Sequence, residues 1–310
     1  MDYSAPAAHE LLLANLLLDR QVSLPTVSAS LGKRHKTMGM WAHQMVSLIR
    51  RWFPTLPITL LEDTAYSILE LGEHCQKQQV TLITPFRLDS VIHEPPPERD
   101  AHTIGRPRVV GQRLLSLETV LSDPKTQWQR LILSWYGQGE RTLEVCTGAA
   151  LWYRAGFAPL PIRWVLTRDP QGKRPLKALF SPEQTQTAEL IVRMFMKRWS
   201  LETTFEECRT HLGIETQRQW SDLAIDRTTP MLFGLYSLVA LFGHALHPDG
   251  NIPVAQAAWY HKHTPTFHDV LAEARQHFWG NGSFSTAPTN PAVVLVPRST
   301  LDRLTKAVCY

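Results

Sequence analysis

The sequence predicts an α/β fold, and three observations support this class. Residues 57–85 run as a short apolar segment, a helical pattern and a second apolar segment, which is a strand–helix–strand unit with two parallel strands. Residues 128–180 carry short apolar runs bounded by Gly and Pro, which are typical of strands. Helical periodicity returns at about residue 183 and continues to Leu246. We therefore expect a partly parallel sheet followed by a helical region.

The N-terminal part contains a long basic segment without acidic residues. Residues 9–20 are helical in composition, and no Asp or Glu occurs from Gln21 to Leu61. Apolar residues repeat at helical spacing across residues 37–52, which predicts an amphipathic helix. The basic residues of this stretch face either solvent or a phosphate backbone, and the pattern leaves both readings open. These residues are Lys33, Arg34, Lys36, Arg50 and Arg51.

Composition excludes several classes of protein. The 310 residues are 44% hydrophobic, which is ample for a packed core and excludes a disordered chain. The four cysteines lie far apart and form no CxxC pair, so a zinc ribbon and a disulfide scaffold are excluded and a reducing cytoplasm is expected. The longest apolar stretch, residues 231–246, is too short to span a bilayer and predicts a buried helix.

One segment, residues 194–213 (MFMKRWSLETTFEECRTHLG), is the most informative. On one continuous helix of about 100° per residue, four side chains fall within about 60° of one another, so that a carboxylate lies among arginines. The four are Phe195, Arg198, Glu202 and Arg209. An ordinary amphipathic helix with internal ion pairs explains the same pattern.

Asp63 favours the functional interpretation of this segment. It follows the predicted buried strand at residues 57–61, and open α/β sheets place reactive groups at the carboxyl ends of their strands. A strand-end Asp and a helix-borne Glu supply the oxygen ligands that two Mg²⁺ ions need in phosphoryl transfer. Asp63 and Glu202 are therefore the candidate catalytic and metal-binding residues.

These motifs resemble those of DDE transposases of bacterial insertion sequences, in the group with the Tyr-x2-Arg-x3-Glu-x6-Lys signature. Here the signature reads Phe195-x2-Arg198-x3-Glu202-x6-Arg209, so a phenylalanine replaces the tyrosine and an arginine replaces the lysine. Residues 60–71 resemble the strand and helix of the second catalytic Asp, which is Asp63 here. Residues 152–173 and 212–230 resemble the family's β-insertion and the segment after the catalytic Glu.

The resemblance implies a ribonuclease-H-like core with a β-rich insertion. We expect an incomplete N-terminal part of the core at 1–92, a Pro- and charge-rich linker at 93–124 and the insertion at 125–182. The C-terminal part of the core, with the Glu helix, is expected at 183–246 and a tail with one amphipathic helix at 247–310. The implied activity is two-metal phosphodiester hydrolysis and strand transfer at insertion-sequence ends.

The resemblance also implies cofactors, partners and phosphate contacts. The expected cofactor is Mg²⁺, with Mn²⁺ as a substitute. The expected partners are transposon-end and target double-stranded DNA and a second copy of the chain in a homodimer. No association with a membrane is expected. The expected location is the cytoplasm, in association with the nucleoid. The phosphate-positioning residues are expected to be Arg198, Arg209, Lys33, Arg34 and Lys36.

The family needs three carboxylates, and the sequence does not supply an obvious first one. The only aspartates before Glu62 and Asp63 are Asp2 and Asp19, and neither follows a predicted strand. We therefore expect an N-terminally truncated transposase with impaired catalysis. One alternative is a catalytically inactive remnant whose partner is either DNA or the full-length transposase. The other is an unrelated α/β nuclease or phosphatase.

Two smaller motifs allow two readings each. Residues 105–108 (GRPR) resemble an arginine hook for a narrow minor groove, or belong to a plain linker. Trp152 either stacks on an extruded base or packs in the core. The histidines of the C-terminal third match no zinc motif.

Overall fold

A computed structural model describes residues 35–98, 104–134, 139–172, 176–216, 218, 221–256, 261–281 and 297–309. The described residues belong to two compact units. One unit runs up to Ser200, and the other contains the described residues from Leu201 onward.

The first unit begins with the predicted basic helix. Helix α1 spans Met38–Trp52, and Thr37 caps it because its hydroxyl accepts from the Met40 amide. Strand β1 (Ile58–Leu61), helix α2 (Leu69–Lys77) and strand β2 (Val80–Pro85) follow. Strands β1 and β2 are parallel, with Ile58 opposite Val80, so the predicted strand–helix–strand unit is confirmed. The helix is shorter than predicted, because a separate 3-10 turn (Thr64–Tyr66) precedes it.

The remaining strands extend the same sheet. They are β3 (Ile92–His93), β4 (Gln129–Ser134), β5 (Glu140–Trp152), β6 (Leu160–Arg168) and β7 (Lys177–Ser181). The strand order is β1-β2-β7-β6-β5-β3, with β4 also paired to β5. All pairs other than β1–β2 are antiparallel. This mixed sheet with its helices agrees with the predicted α/β class.

The strands of the predicted insertion form no separate sheet. Strand β7 pairs with β2 through Thr84 opposite Phe180, so the predicted insertion is continuous with the parallel unit. The predicted linker also contains structure: helix α3 (Leu117–Ser122) lies within it, and Leu117 is fully buried. Its capping serine, Ser116, accepts from the Thr119 amide, a local signal that the Pro-rich composition of the segment obscured.

Helices cover both faces of the sheet. On one face, α1, α2 and α3 pack against a cluster that includes Leu82, Ile162 and Phe180. On the other, helix α4 (Ala188–Met196) packs Ile191 and Val192 against Ile83, Val145 and Val165. Strands β2 and β6 therefore supply apolar side chains to both faces, as expected for strands inside a layered α/β unit.

The second unit is helical. It contains α5 (Ser200–Leu212), α6 (Asp222–Leu246), α7 (Phe267–Asn281) and α8 (Arg298–Cys309). Helices α5, α6 and α7 share a hydrophobic core that includes Cys208, Phe233 and Phe267. Helix α5 begins at the last residue of the first unit, so the boundary between the units falls at its start.

Helix α6 is less buried than the sequence predicted. Phe233, Tyr236 and Val239 are buried, whereas Met231 and Leu238 are 73% and 63% exposed within the described chain. Residues 231–246 were expected to be too short to span a bilayer, but they lie within the longer helix α6. Among the described residues, α6 is the one helix with the length and mean hydropathy (1.4) to cross a membrane, and 22% of its most apolar window is buried. Length and composition alone make this weak evidence, because core helices of soluble proteins have the same properties.

Candidate functional site: the end of β1 and the signature helices

The carboxyl end of β1 presents Asp63 to solvent. Strand β1 consists mostly of apolar residues and lies in the sheet. The Glu62 amide donates to the Ile83 carbonyl, which extends the parallel pairing by one residue. Asp63 ends the strand because its carboxylate caps the following 3-10 turn, accepting from the Thr64 amide at 2.7 Å. The buried Thr84 hydroxyl donates to the Asp63 carbonyl at 3.3 Å. Asp63 is thus an exposed carboxylate on a backbone fixed by the neighbouring strand.

The adjacent Glu62 differs from Asp63 in its electrostatics. Burial of its carboxyl group, and secondly the charge of Asp63, raise the pKa of Glu62 to about 7. The buried thiol of Cys75 lies near it, and burial together with the Glu62 charge raises the pKa of Cys75. The charged form of Glu62 is therefore disfavoured, and Asp63 rather than Glu62 is the exposed carboxylate at this strand end.

The first half of the signature lies at the end of α4. Phe195 packs with its neighbours Met194 and Met196 against the sheet cluster. Two cations lie over its ring: the Arg198 guanidinium carbon is 5.8 Å from the ring centroid, and the Lys177 Nζ is 5.4 Å from it. These distances suit cation–π attraction, which concentrates positive charge at this point.

The second half of the signature lies on α5. Glu202 falls in the first turn of α5 and is half-buried, whereas Arg209 is exposed near the end of the helix. Arg209 forms a two-bond ion pair with Glu215, with Nε and Nη2 at 2.7 and 3.0 Å from its carboxylate oxygens. Arg209 is therefore held by a carboxylate of its own chain.

The prediction of one continuous helix across residues 194–213 is wrong. A 3-10 turn, Lys197–Trp199, separates α4 from α5. The Lys197 amide donates to the carbonyls of both Met194 and Phe195, and the Ser200 hydroxyl donates to the Lys197 carbonyl at 2.6 Å. Such back-bonding by serine competes with regular helix pairing. The geometry of one regular α-helix therefore does not extend across the four signature residues.

The predicted site residues are divided between the two units. Phe195 and Arg198 are in contact in the first unit, which also contains Asp63. Glu202 and Arg209 belong to the second unit. Lys36 lies beside the start of α1, where its Nζ donates to the Gln44 side chain and stands 4.4 Å from the Trp41 ring centroid. Lys33 and Arg34 lie outside the described residues.

Asp63 and Glu202 are candidate metal ligands by their chemistry. The carboxylates of Asp63 and Glu202 are the hard oxygen donors that Mg²⁺ takes. Within the described ranges, however, no three His, Cys, Asp or Glu side chains are grouped closely enough to hold a metal ion. The described residues thus offer suitable donors without a complete ligand set.

Trp152 packs in the core of the first unit. Its ring makes edge contacts with Phe86 and Phe180, at centroid distances of 5.1 and 5.2 Å. These contacts support the core reading over base stacking. The described part of the GRPR motif, residues 105–108, is exposed, and Gly105 has a positive φ of 109°.

Two residues of the site were missed by sequence reasoning. Lys177 begins β7, and nothing in the sequence around it distinguishes it from other lysines; only the packing of α4 beside β7 reveals its position. Glu215 follows Gly213, whose positive φ of 76° is typical of a residue that ends a helix. The glycine could have indicated a turn that returns the chain toward the last turn of α5.

Comparison with known proteins adds a family to this geometry. No curated protein matches the chain. A family model described as the transposase DDE domain matches residues 14–222, which is more than half of the 310 residues and includes Asp63, Arg198, Glu202 and Arg209. The chain therefore belongs to the DDE transposase family.

Proposed function

We propose that this chain acts on the ends of a bacterial insertion sequence as a DDE transposase of the Tyr-Arg-Glu-Lys group, with a ribonuclease-H-like core. The observation that carries the proposal is the exposed Asp63 carboxylate at the carboxyl end of a parallel strand, inside the residues that match the family. Reactive groups of open α/β sheets lie at that end. The signature from Phe195 to Arg209 supports the same assignment.

The charged residues of the candidate site have proposed roles. Asp63 and Glu202 are the ligands for Mg²⁺ or Mn²⁺, because their carboxylates are hard oxygen donors. Arg198 and Arg209 hold phosphates of transposon-end and target DNA, since a guanidinium makes paired hydrogen bonds to a phosphate. Lys177 joins them through its position over Phe195. Lys33, Arg34 and Lys36 remain proposed backbone contacts, and a homodimer in the cytoplasm is the proposed assembly.

We expect cleavage and strand transfer by this chain to be impaired. Asp63 and Glu202 are two carboxylates where the reaction takes three, and Asp2 and Asp19 are the only aspartates before Asp63. The same observation supports a second candidate function, in which the chain binds DNA or a full-length transposase without catalysis.

A binding and cleavage assay on one substrate tests both functions. The chain is incubated with a labelled duplex that carries an insertion-sequence end, with Mg²⁺ or Mn²⁺, and bound DNA and strand products are measured. We expect salt-dependent binding and slow cleavage, with cleavage lost in Asp63→Asn and Glu202→Gln and binding retained. The matched control is Asp89→Asn, which removes an exposed carboxylate bonded to Arg87.

The outcomes separate the candidates. Binding without any product supports the non-catalytic function. Rapid turnover that survives Asp63→Asn rules out the proposed role of Asp63. Binding that is unchanged in Arg198→Gln and Arg209→Gln rules out the proposed phosphate contacts of these two arginines.

A further inference from the structure

The contact between Arg209 and Glu215 has the geometry of a contact between an arginine and a phosphate. Two guanidinium nitrogens donate to two carboxylate oxygens at 2.7 and 3.0 Å, the same fork that an arginine offers to a phosphate. A carboxylate and a phosphate therefore compete for the same donors. A lysine at position 209 could not form these two parallel bonds, because its ammonium is a point charge.

The chain holds Glu215 at this point through a fixed turn. Ile214 is buried, and its amide donates to the Cys208 carbonyl at 3.2 Å. The Thr216 amide and hydroxyl both donate to the Gly213 carbonyl. Between these anchors, Glu215 adopts a φ of +66°, a left-handed conformation that is unfavourable for a residue other than glycine. The turn thus places the Glu215 carboxylate opposite Arg209 in spite of a backbone cost.

The contact is open to exchange with an external anion. The side chains of Arg209 and Glu215 are 51% and 62% exposed within the described chain. The two groups affect each other consistently: bonding to Glu215 raises the pKa of Arg209, and bonding to Arg209 lowers the pKa of Glu215. Both groups stay charged across the physiological range. An exposed pair of this kind is weak, so a DNA phosphate can displace Glu215.

We propose that Glu215 is an internal competitor for the phosphate site of Arg209, so that a DNA phosphate and the Glu215 carboxylate cannot bind the guanidinium at the same time. The inference rests on the proposed function, because it takes Arg209 as a DNA contact. Its consequence is a lower affinity: every phosphate that binds Arg209, whether isolated or part of a duplex, must first displace Glu215. Glu215 thus sets how strongly Arg209 contributes to DNA binding.

The test is a double-mutant cycle on the full chain, with fluorescence anisotropy of a short labelled duplex of random sequence as the readout. If Arg209 is free only part of the time, Glu215→Gln tightens binding by about three- to fivefold, since affinity scales with the fraction of competent sites. In an Arg209→Gln background the same substitution leaves the affinity unchanged. In an Arg209→Lys background the gain is lost as well, although the positive charge remains.

Two further variants control for charge and folding. Glu206→Gln removes a nearby carboxylate that acts on Arg209 through its charge, and it is expected to tighten binding less than Glu215→Gln. Glu215→Gly also removes the competing carboxylate and suits the positive φ, so it is expected to match Glu215→Gln in affinity and to keep the fold by circular dichroism.

Each contrary outcome has a distinct meaning. If Arg209→Gln weakens binding while Glu215→Gln gains no more than Glu206→Gln, the competition is refuted and the proposed role of Arg209 stands. If Glu215→Gln weakens binding, Glu215 orients Arg209 and the proposal is overturned. If Arg209→Gln leaves the affinity unchanged, both the competition and the phosphate-binding role of Arg209 fall.

Discussion

At the scale of single residues, Arg50 corrects the interpretation of the basic stretch. Its guanidinium donates to the backbone carbonyls of five residues, at distances from 2.7 to 3.3 Å. These are Gln78, Phe53, Pro54, Leu56 and Gln79. The carbonyls lie just after α1 and after α2, and Gln79 has a positive φ of 54°. Arg50 therefore binds carbonyls that follow the C-terminal ends of α1 and α2, which regular helix hydrogen bonds leave unsatisfied. Its guanidinium stabilises the fold and is not a phosphate contact.

We predict that Arg50→Met destabilises the chain whereas Arg51→Met does not. A hydrogen bond from a charged donor contributes more than a neutral one, so losing this set from a half-exposed site costs about 2 kcal/mol of unfolding free energy. Arg51 follows directly in α1 and is exposed, which makes it the matched control. Urea denaturation of both variants measures the difference. Equal midpoints for the two variants would show that the carbonyls are satisfied equally well by water.

At the scale of elements, local patterns predicted what local forces decide. The strand–helix–strand unit at Ile58–Pro85 followed from the alternation of apolar and polar segments, and α1 from its apolar stripe. The break at Lys197–Trp199 could not be predicted in this way. Apolar periodicity continues across it, and the hydrogen bond from Ser200 that stabilises the turn is available to any serine. Periodicity alone therefore predicts one regular helix from Arg198 to Glu202, which the structure interrupts.

Two glycines of α6 make a matched test of helix packing. A Cβ on Gly243 would lie 2.4 Å from Cγ1 of Val270 on α7, whereas a Cβ on Gly234 would meet nothing within 4 Å. We predict that Gly243→Ala destabilises the chain by about 1 to 3 kcal/mol through overpacking. Gly234→Ala should stabilise it by about 0.5 to 1 kcal/mol, because alanine favours a helix. Thermal unfolding measures both, and a stabilising Gly243→Ala would show that α6 and α7 are not tightly packed.

At the scale of the whole molecule, net charge explains little about partners. A charge of +4 on 310 residues is mild, and the pairing of strands β4–β6 neutralises part of the basic content, since Arg130 and Arg168 both pair with Glu144. The positive charge that matters for the proposed function lies at a few positions. Sequence could identify Arg198 and Arg209 among these, but Lys177 needed the packing of α4 beside β7. Proximity across a sheet is a property of the fold and has no local signature in the sequence.

The final prediction tests whether DNA binding depends on these positions or on the total charge. Each phosphate contact releases counterions and adds about 0.9 to the slope of log affinity against log salt. Replacing Lys177, Arg198 and Arg209 by Gln should therefore reduce the slope by about 2.7, and these three contacts account for about fortyfold of the affinity lost between about 50 and 200 mM salt. The control variant replaces Arg51, Lys77 and Lys125 by Gln, which removes the same charge from other exposed positions. Anisotropy titrations at several salt concentrations measure both slopes. A control variant that loses as much slope as the site variant would mean that DNA binds through diffuse charge, and the assignment of phosphate contacts to the signature would then fail.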